Sequence, residues 1–281
     1  MSAKLKRGCG ILLIISVVLL SILALLPDAD VDHDAGYIAS ELSIRETVDG
    51  SVTNTSYLNS AGLITDAIDM GYATVCRMRD DSGRVVEERY LDANGDPVAR
   101  YDDYYGLSYE YDEMSTIITY LDAEENPVER SDGYSTIVRT QVGGRASDDF
   151  YYDLNGQQVQ CPGGYYGVHR EYNTEGQNTS LTFLDKDGHA VCISSGYAIK
   201  TYQRDMDGAI VGEQYFDTEG NPARSLLGQY GELYQRNEQG YIGQITYLGA
   251  DGKPTPTNAG YTILKRTYHR DGTADTDMYF D

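Results

Sequence analysis

Tryptophan is absent from this chain, phenylalanine appears only four times in 281 residues, and 22 Lys and Arg stand against 44 Asp and Glu, a formal charge of −22. The shortage of cations excludes nucleic acid as a partner, because an acidic surface repels phosphate backbones over a Debye length. Cysteine is scarce too. Cys9 precedes a long apolar run and Cys76, Cys161 and Cys192 follow it, an odd set that excludes a disulfide framework as the source of stability. Cys161 and Cys192 occupy neighbouring copies of one loop, so a single bridge and three unpaired thiols are both open at this stage. No Ser, His and Asp arrangement, phosphate-binding glycine loop or CxxC pair occurs, so no catalytic residue, cofactor or metal is expected and the chain does not read as an enzyme.

Long uncharged runs are equally rare, and one dominates. Residues 8–27, centred on ILLIISVVLLSILALL, follow Lys4, Lys6 and Arg7 and precede Asp28, Asp30, Asp32 and Asp34. A run of that length matches a helix crossing a hydrocarbon layer of about 30 Å. Basic residues before it and acidic ones after it predict a cytoplasmic N-terminus, with everything beyond Pro27 outside. The following LLPDADVD lacks a small-x-small cleavage pattern, which favours an uncleaved anchor over a removed signal peptide. The expected organisation is therefore a single pass of the plasma membrane. Residues 1–35 form a cytoplasmic stub, anchor and linker, and residues 36–281 form an extracytoplasmic domain.

What the chain does have is 26 tyrosines, 30 glycines and a phrase repeated along its length. YLDANGDPV at Tyr90 returns in variants at Tyr120, Tyr151, Phe183, Tyr215 and Tyr247, spaced by 30 to 32 residues, with a degenerate copy at Tyr57 and a last YFD at Tyr279. A Gly-Tyr pair keeps the same beat at Tyr72, Tyr134, Tyr165, Tyr197 and Tyr261, with worn copies at Asp103-Tyr104 and Gly228-Gln229. Between the two phrases fall acidic or amide turns ending in Gly83, Gly176, Gly208 and Gly240. Asp or Asn opens such a turn by accepting a nearby backbone N–H, and Gly closes it because only Gly takes positive φ without steric cost. Pro97, Pro127, Pro222 and Pro254, just past the second turn, mark positions outside a regular ladder. The flanking segments alternate as strands do: YTILKRTY puts Leu264 and Arg266 on one face and Ile263 and Lys265 on the other.

Each unit thus predicts a hairpin followed by a connection. A row of such units buries one seam that no unit could bury alone. The expected fold is all-β, about seven and a half tandem 32-residue hairpin repeats in a solenoid or meandering sheet, with a closed propeller as competitor. The final YFD reads as a half-built unit. Stacking the units aligns Arg77, Tyr109, Arg139, Arg170, Tyr202, Tyr234 and Arg266 in one column, and Arg79, Tyr111, Gln141, Tyr172, Arg204, Arg236 and Tyr268 in the next. Both are expected to hold neighbouring units together by stacking guanidinium on ring. DKDG at Asp185, DMDG at Asp205 and DTEGN at Asp217 resemble the opening of a calcium loop, but turn chemistry already accounts for each Asp and Gly. The four histidines, His33, His169, His189 and His269, form no metal spacing.

At FLDKDGHAVCISSGY, Phe183 to Tyr197, the chain is similar to the tyrosine-rich hairpin repeats of Gram-positive cell-wall-binding, choline-binding-like proteins and of clostridial toxins, and its YDxxG turns resemble YD and MORN-like repeats. The resemblance spans residues 36–281. It implies a bacterial surface module that binds carbohydrate, wall or protein without catalysis, although the tryptophans of a choline cage have no counterpart here. The expectation is an adhesive or scaffolding surface for a carbohydrate or protein. The alternative is an accessory subunit or spacer of a membrane enzyme or secretion complex, docked through residues 8–27.

Overall fold

Turns that start at Asp or Asn and end at Gly, set between runs of alternating polarity, leave the chain a local option that costs little loop entropy, the β-hairpin. The computed structural model of the protein describes residues 42–67, 70–100, 103–269 and 274–281, and these build eight hairpins. They are β1 (Ser43–Asp49) with β2 (Val52–Leu58), β3 (Thr74–Arg79) with β4 (Val85–Leu91), β5 (Gly106–Tyr111) with β6 (Ser115–Leu121), and β7 (Thr136–Val142) with β8 (Arg145–Tyr152). Then follow β9 (Gly167–Tyr172) with β10 (Asn178–Leu184), β11 (Ile199–Arg204) with β12 (Ile210–Phe216), β13 (Gly231–Arg236) with β14 (Ile242–Leu248), and β15 (Ile263–Tyr268) with β16 (Ala274–Phe280). All sixteen join one antiparallel sheet in sequence order. Among the described residues β1 and β16 each bond one neighbour, so the ladder is an open meander rather than a closed propeller. The apolar segment 8–27 lies outside the described residues. Among those residues no helix is long and apolar enough to cross a membrane.

One expectation changes, and one open alternative is decided. The array holds eight complete hairpins, because β16 pairs with β15 from Ile263↔Phe280 to Tyr268↔Ala274. YFD therefore completes a hairpin. The bridge between Cys161 and Cys192 does not form: Cys76, Cys161 and Cys192 are all free thiols, with Cys161 buried and Cys192 exposed.

The repeated aspartate is a turn. Oδ1 of Asp92 accepts the N–H of Asn94 at 2.8 Å and of Asp96 at 2.9 Å, while Gly95 takes φ +90°. Asp153, Asp185 and Asp217 hold the same pair of N–H groups. These amides hold the carboxyls of Asp92, Asp153, Asp185 and Asp217 below the usual carboxylate range, led in each by the N–H four residues on. One copy breaks the glycine rule: Glu125 stands at this position with φ +71°.

After each such turn the chain doubles back along the strand it has left. The N–H of Val98 donates to the Tyr90 carbonyl at 3.0 Å, and Pro97, Pro127, Pro222 and Pro254 each make one isolated bridge, to Leu91, Leu121, Phe216 and Leu248. A second turn then delivers the Gly-Tyr pair. Its glycine is fixed twice, as Gly196 shows: φ is +99°, and a Cβ there would come 2.6 Å from the carbonyl oxygen of Arg224 in the next connection. In the C-terminal half the second turns bond one another directly. The N–H of Ser194 donates to the Gly163 carbonyl, that of Leu226 to Ser195, and that of Asn258 to Leu227, at 2.7 to 2.9 Å.

The core lies between one face of the sheet and these connections. Tyr57, Tyr90, Tyr120, Tyr151, Phe183 and Tyr215 stand on the even strands, and Tyr72, Tyr104, Tyr134, Tyr165 and Tyr197 reach in from the connections between them. Their rings form one continuous series with centroids 4.4 to 6.0 Å apart. Each such pair adds about 0.5–1.5 kcal/mol beyond the area it buries. The apolar positions opposite the even-strand rings, Val75, Leu107, Ile137, Val168 and Leu264, are buried beneath them.

Candidate functional site

In a uniform array, chemistry can be special only where a copy departs from its neighbours. Two departures lie on the inner face: arginines against the ring series in the N-terminal half, and ionisable groups in place of apolar and aromatic ones around β11 to β13.

Ten residues beyond the even-strand Tyr of each phrase come Ala67, Arg100, Arg130, Cys161, Ile193, Ser225 and Thr257. Arg100 is buried with its guanidinium 5.8 Å from the Tyr72 centroid and 5.5 Å from that of Tyr90. Arg130 lies 5.6, 4.9 and 5.3 Å from the rings of Tyr104, Tyr120 and Tyr134. Its Nε donates to Asp103 at 2.6 Å and its Nη1 to the Tyr134 hydroxyl at 2.6 Å. Burial pushes the phenols of Tyr72, Tyr90, Tyr120 and Tyr134 up, so they stay neutral and act as apolar bodies with a donor tip.

The column of Arg77, Tyr109, Arg139, Arg170, Tyr202, Tyr234 and Arg266 differs from expectation. Each of its arginines takes a carboxylate from an even strand, two residues before the phrase tyrosine. Arg77 Nε donates to Glu88 at 2.6 Å, and Arg266 meets Asp277 through two bonds of 2.7 and 2.9 Å. Arg139 grips Asp149 at 2.7 and 2.8 Å, and Arg170 adds a contact of 3.0 Å from the next hairpin. Asp149 is wholly buried. Burial alone would raise its carboxyl; Arg139 and then Arg170 outweigh this and hold it below the ordinary value. Where the odd strand carries Tyr109 or Tyr234, the register partner is Ile118 or Ile245. The second column does join neighbours, by hydrogen bonds more than by stacking: the hydroxyls of Tyr111, Tyr172 and Tyr268 donate to the carbonyls of Val85, Ala146 and Ile242 in the preceding hairpin. Ring stacking is present as well, with Arg84 4.7 Å over Tyr111.

Around β11 to β13 the substitution runs the other way. Lys200 and Glu232 stand where other copies have Val75, Leu107, Ile137, Val168 and Leu264, and Gln229 stands where a Gly-Tyr ring belongs. Lys200 Nζ lies 3.5 Å from Glu213, both side chains buried, and Glu213 faces Glu232 directly across β12–β13. Gln229 Nε2 donates to Glu232 Oε1 at 2.9 Å, the Tyr234 hydroxyl donates to Oε2 at 3.1 Å, and Ser225 Oγ donates to Gln229 Oε1 at 2.7 Å. The ring series stops at Tyr215 and resumes with Tyr247, Tyr261 and Tyr279 at 5.5 and 4.6 Å. Burial first, then the carboxylates of Glu232 and Glu213, drive the phenols of Tyr215 and Tyr234 up, so this cluster supplies hydrogen-bond donors and no phenolate nucleophile.

Of the repeat positions singled out in the sequence, Tyr72, Tyr134, Tyr165, Tyr197 and Tyr261 lie in the connections and Tyr90, Tyr120, Tyr215 and Tyr247 on even strands. Gly83, Gly176, Gly208 and Gly240 close hairpin turns at φ +80 to +91°. Arg100, Arg130 and the acids Glu88, Asp149, Glu213 and Asp277 were not singled out, although a fixed offset from the phrase tyrosine marks them all. His169 Nδ1 lies 2.9 Å from Asp148 on the outer face, and among the described residues no three or more His, Cys, Asp or Glu side chains are placed to hold a metal.

No family model matches the chain, and no curated protein matches it. Among solved structures, a porin-like protein from Bacteroides uniformis ATCC 8492 aligns over 85% of this chain and 94% of its own, at 12% identity and a TM-score of 0.20. A superposition that loose carries no argument about this chain.

Proposed function

We propose that the chain is a membrane-tethered, non-catalytic binding scaffold of a bacterial surface. The apolar segment 8–27 holds it in the plasma membrane with the N-terminus in the cytoplasm, and the hairpin array presents an extracytoplasmic surface to a carbohydrate or protein. The observation supporting this reading is how the two faces of the sheet divide their chemistry. On the inner face Arg77, Arg139 and Lys200 meet acids, and Arg100 and Arg130 lie against tyrosine rings. The outer face leaves half-exposed hydroxyls at Thr119, Thr182, Thr201 and Thr246, among half-buried Val138 and Leu233, in a register a partner can read. Detergent-solubilised full-length protein screened against immobilised glycans and wall polymers tests it. Retention that is lost on changing Thr182 and Thr201 to Lys supports the reading, and absence of any retained polymer or protein rejects it.

One observation favours the accessory-subunit reading instead. Leu226 and Leu227, 70% and 53% exposed, occupy the tip of a second turn where other copies carry Ser131-Asp132 or Ser194-Ser195. A membrane protein that co-purifies with the full chain, and is lost on Leu226→Ser with Leu227→Ser or on replacing residues 8–27, favours this reading.

A further inference from the structure

The junction between β12 and β13 differs from every other junction between hairpins in three independent respects. The ring series that crosses each earlier connection is missing its member at Gln229, and in its place Gln229 is bonded to Glu232, which also meets the Tyr215 hydroxyl. The residues in register across the junction are Glu213 and Glu232, two carboxylates face to face; the corresponding pairs elsewhere are Thr55↔Val75, Glu88↔Leu107, Ile118↔Ile137, Asp149↔Val168, Leu181↔Lys200 and Ile245↔Leu264. Like charges directly opposite on a sheet destabilise the pairing, and Lys200 Nζ lies 3.5 Å from Glu213. The flanking register pairs are Gly212↔Leu233 and Gln214↔Gly231, a glycine in each, so neither flank adds a full cross-strand side-chain contact.

We infer that the β12–β13 junction is a joint built into the array, across which β1–β12 and β13–β16 open as separate cooperative blocks. In a repeat protein, stability is the sum of unit terms and nearest-neighbour interface terms, and cooperativity is carried by the interfaces. An array whose interfaces are equal frays gradually from its ends; one weak interface converts that gradient into a step. Two lost ring contacts and one repulsive pair lower this interface enough for β13–β16 to open about tenfold or more as often as β9–β12. The second-turn bonds of Leu226 to Ser195 and of Asn258 to Leu227 belong to the connection itself and keep the two blocks tethered while the sheet between them parts.

Native-state hydrogen exchange of the full chain, read strand by strand by mass spectrometry in rising denaturant, tests the joint. The expected result is a shared, lower protection for β13, β14 and β15, with a step of about tenfold at β12. The double variant Gln229→Tyr with Glu232→Leu restores residues that other copies carry at these places, and it is expected to remove the step. Glu232→Gln, which keeps the shape and deletes the charge, should shrink it. A smooth gradient inward from β16 would overturn the inference, as would a step that survives the double variant unchanged.

Discussion

Between β3 and β8 the inner face is sealed by arginine, and between β11 and β14 it is filled by carboxylate and amide. Both regions hold ionisable groups on the inner face, but the first gives Arg139 a carboxylate from the adjoining strand and Arg130 three rings with Asp103, whereas the second sets Glu213 against Glu232 with Lys200 3.5 Å from Glu213. The difference teaches that this repeat tolerates a charge in its seam when a neighbouring strand or connection brings the partner. A buried pair contributes little over apolar packing, yet a buried charge whose partner is removed is costly.

Removing a partner should separate the regions most sharply. Asp149→Asn leaves Arg139 and Arg170 buried around a neutral amide and is expected to lower unfolding stability by about 3–5 kcal/mol in urea titration. Glu213→Gln should cost clearly less, because it relieves the opposition to Glu232 as it gives up Lys200. The same carboxylate fixes a pH dependence. Its folded pKa lies below the unfolded value of about 3.9, so its contribution is present above that pH and is lost as pH falls through the lower folded value. Asp149→Asn should accordingly flatten the acid limb of the stability curve below about pH 4.

Next in size, Arg130→Gln removes a guanidinium from three rings and from Asp103, and a loss of about 2 kcal/mol is expected in the same titration. Ser225, at the corresponding place in the second region, should accept Ala at a cost of about 1 kcal/mol, the worth of its one bond to Gln229. The smallest effect lies in the turns. Glu125→Gly should gain about 1 kcal/mol by relieving positive φ, and Gly220→Glu, the reverse change beside the second region, should lose a similar amount. Thermal melts of the two variants would check the pair.

Much of this was legible in the residues because a turn is a local event. Asp92, Gly95 and Pro97 announce their backbone geometry without reference to the rest of the chain, and the spacing of Tyr90, Tyr120 and Tyr215 fixes which residues share a row. The pairing of Arg77 with Glu88 and of Arg139 with Asp149 was not read, although both members recur at fixed offsets. Opposition across a hairpin depends on register, and the extra residue in the turns after β3, β7, β9, β11, β13 and β15 shifts that register by one. Arg100 and Arg130 escaped for another reason: Tyr72, Tyr104 and Asp103 belong to the connection before them, brought within reach only when neighbouring units are stacked.

The sequence by itself determined the hairpins, their number within half a unit, the positive-φ glycines and the alternation that puts tyrosine on one face, because each of these follows from backbone sterics and a period of two. Only the tertiary structure decided that the sheet stays open, which carboxylate each arginine holds, and that the seam is interrupted at Gln229. Those outcomes depend on which side chains meet across strands and connections up to 34 residues apart, as Arg224 and Asn258 do, and proximity of that kind is created by stacking.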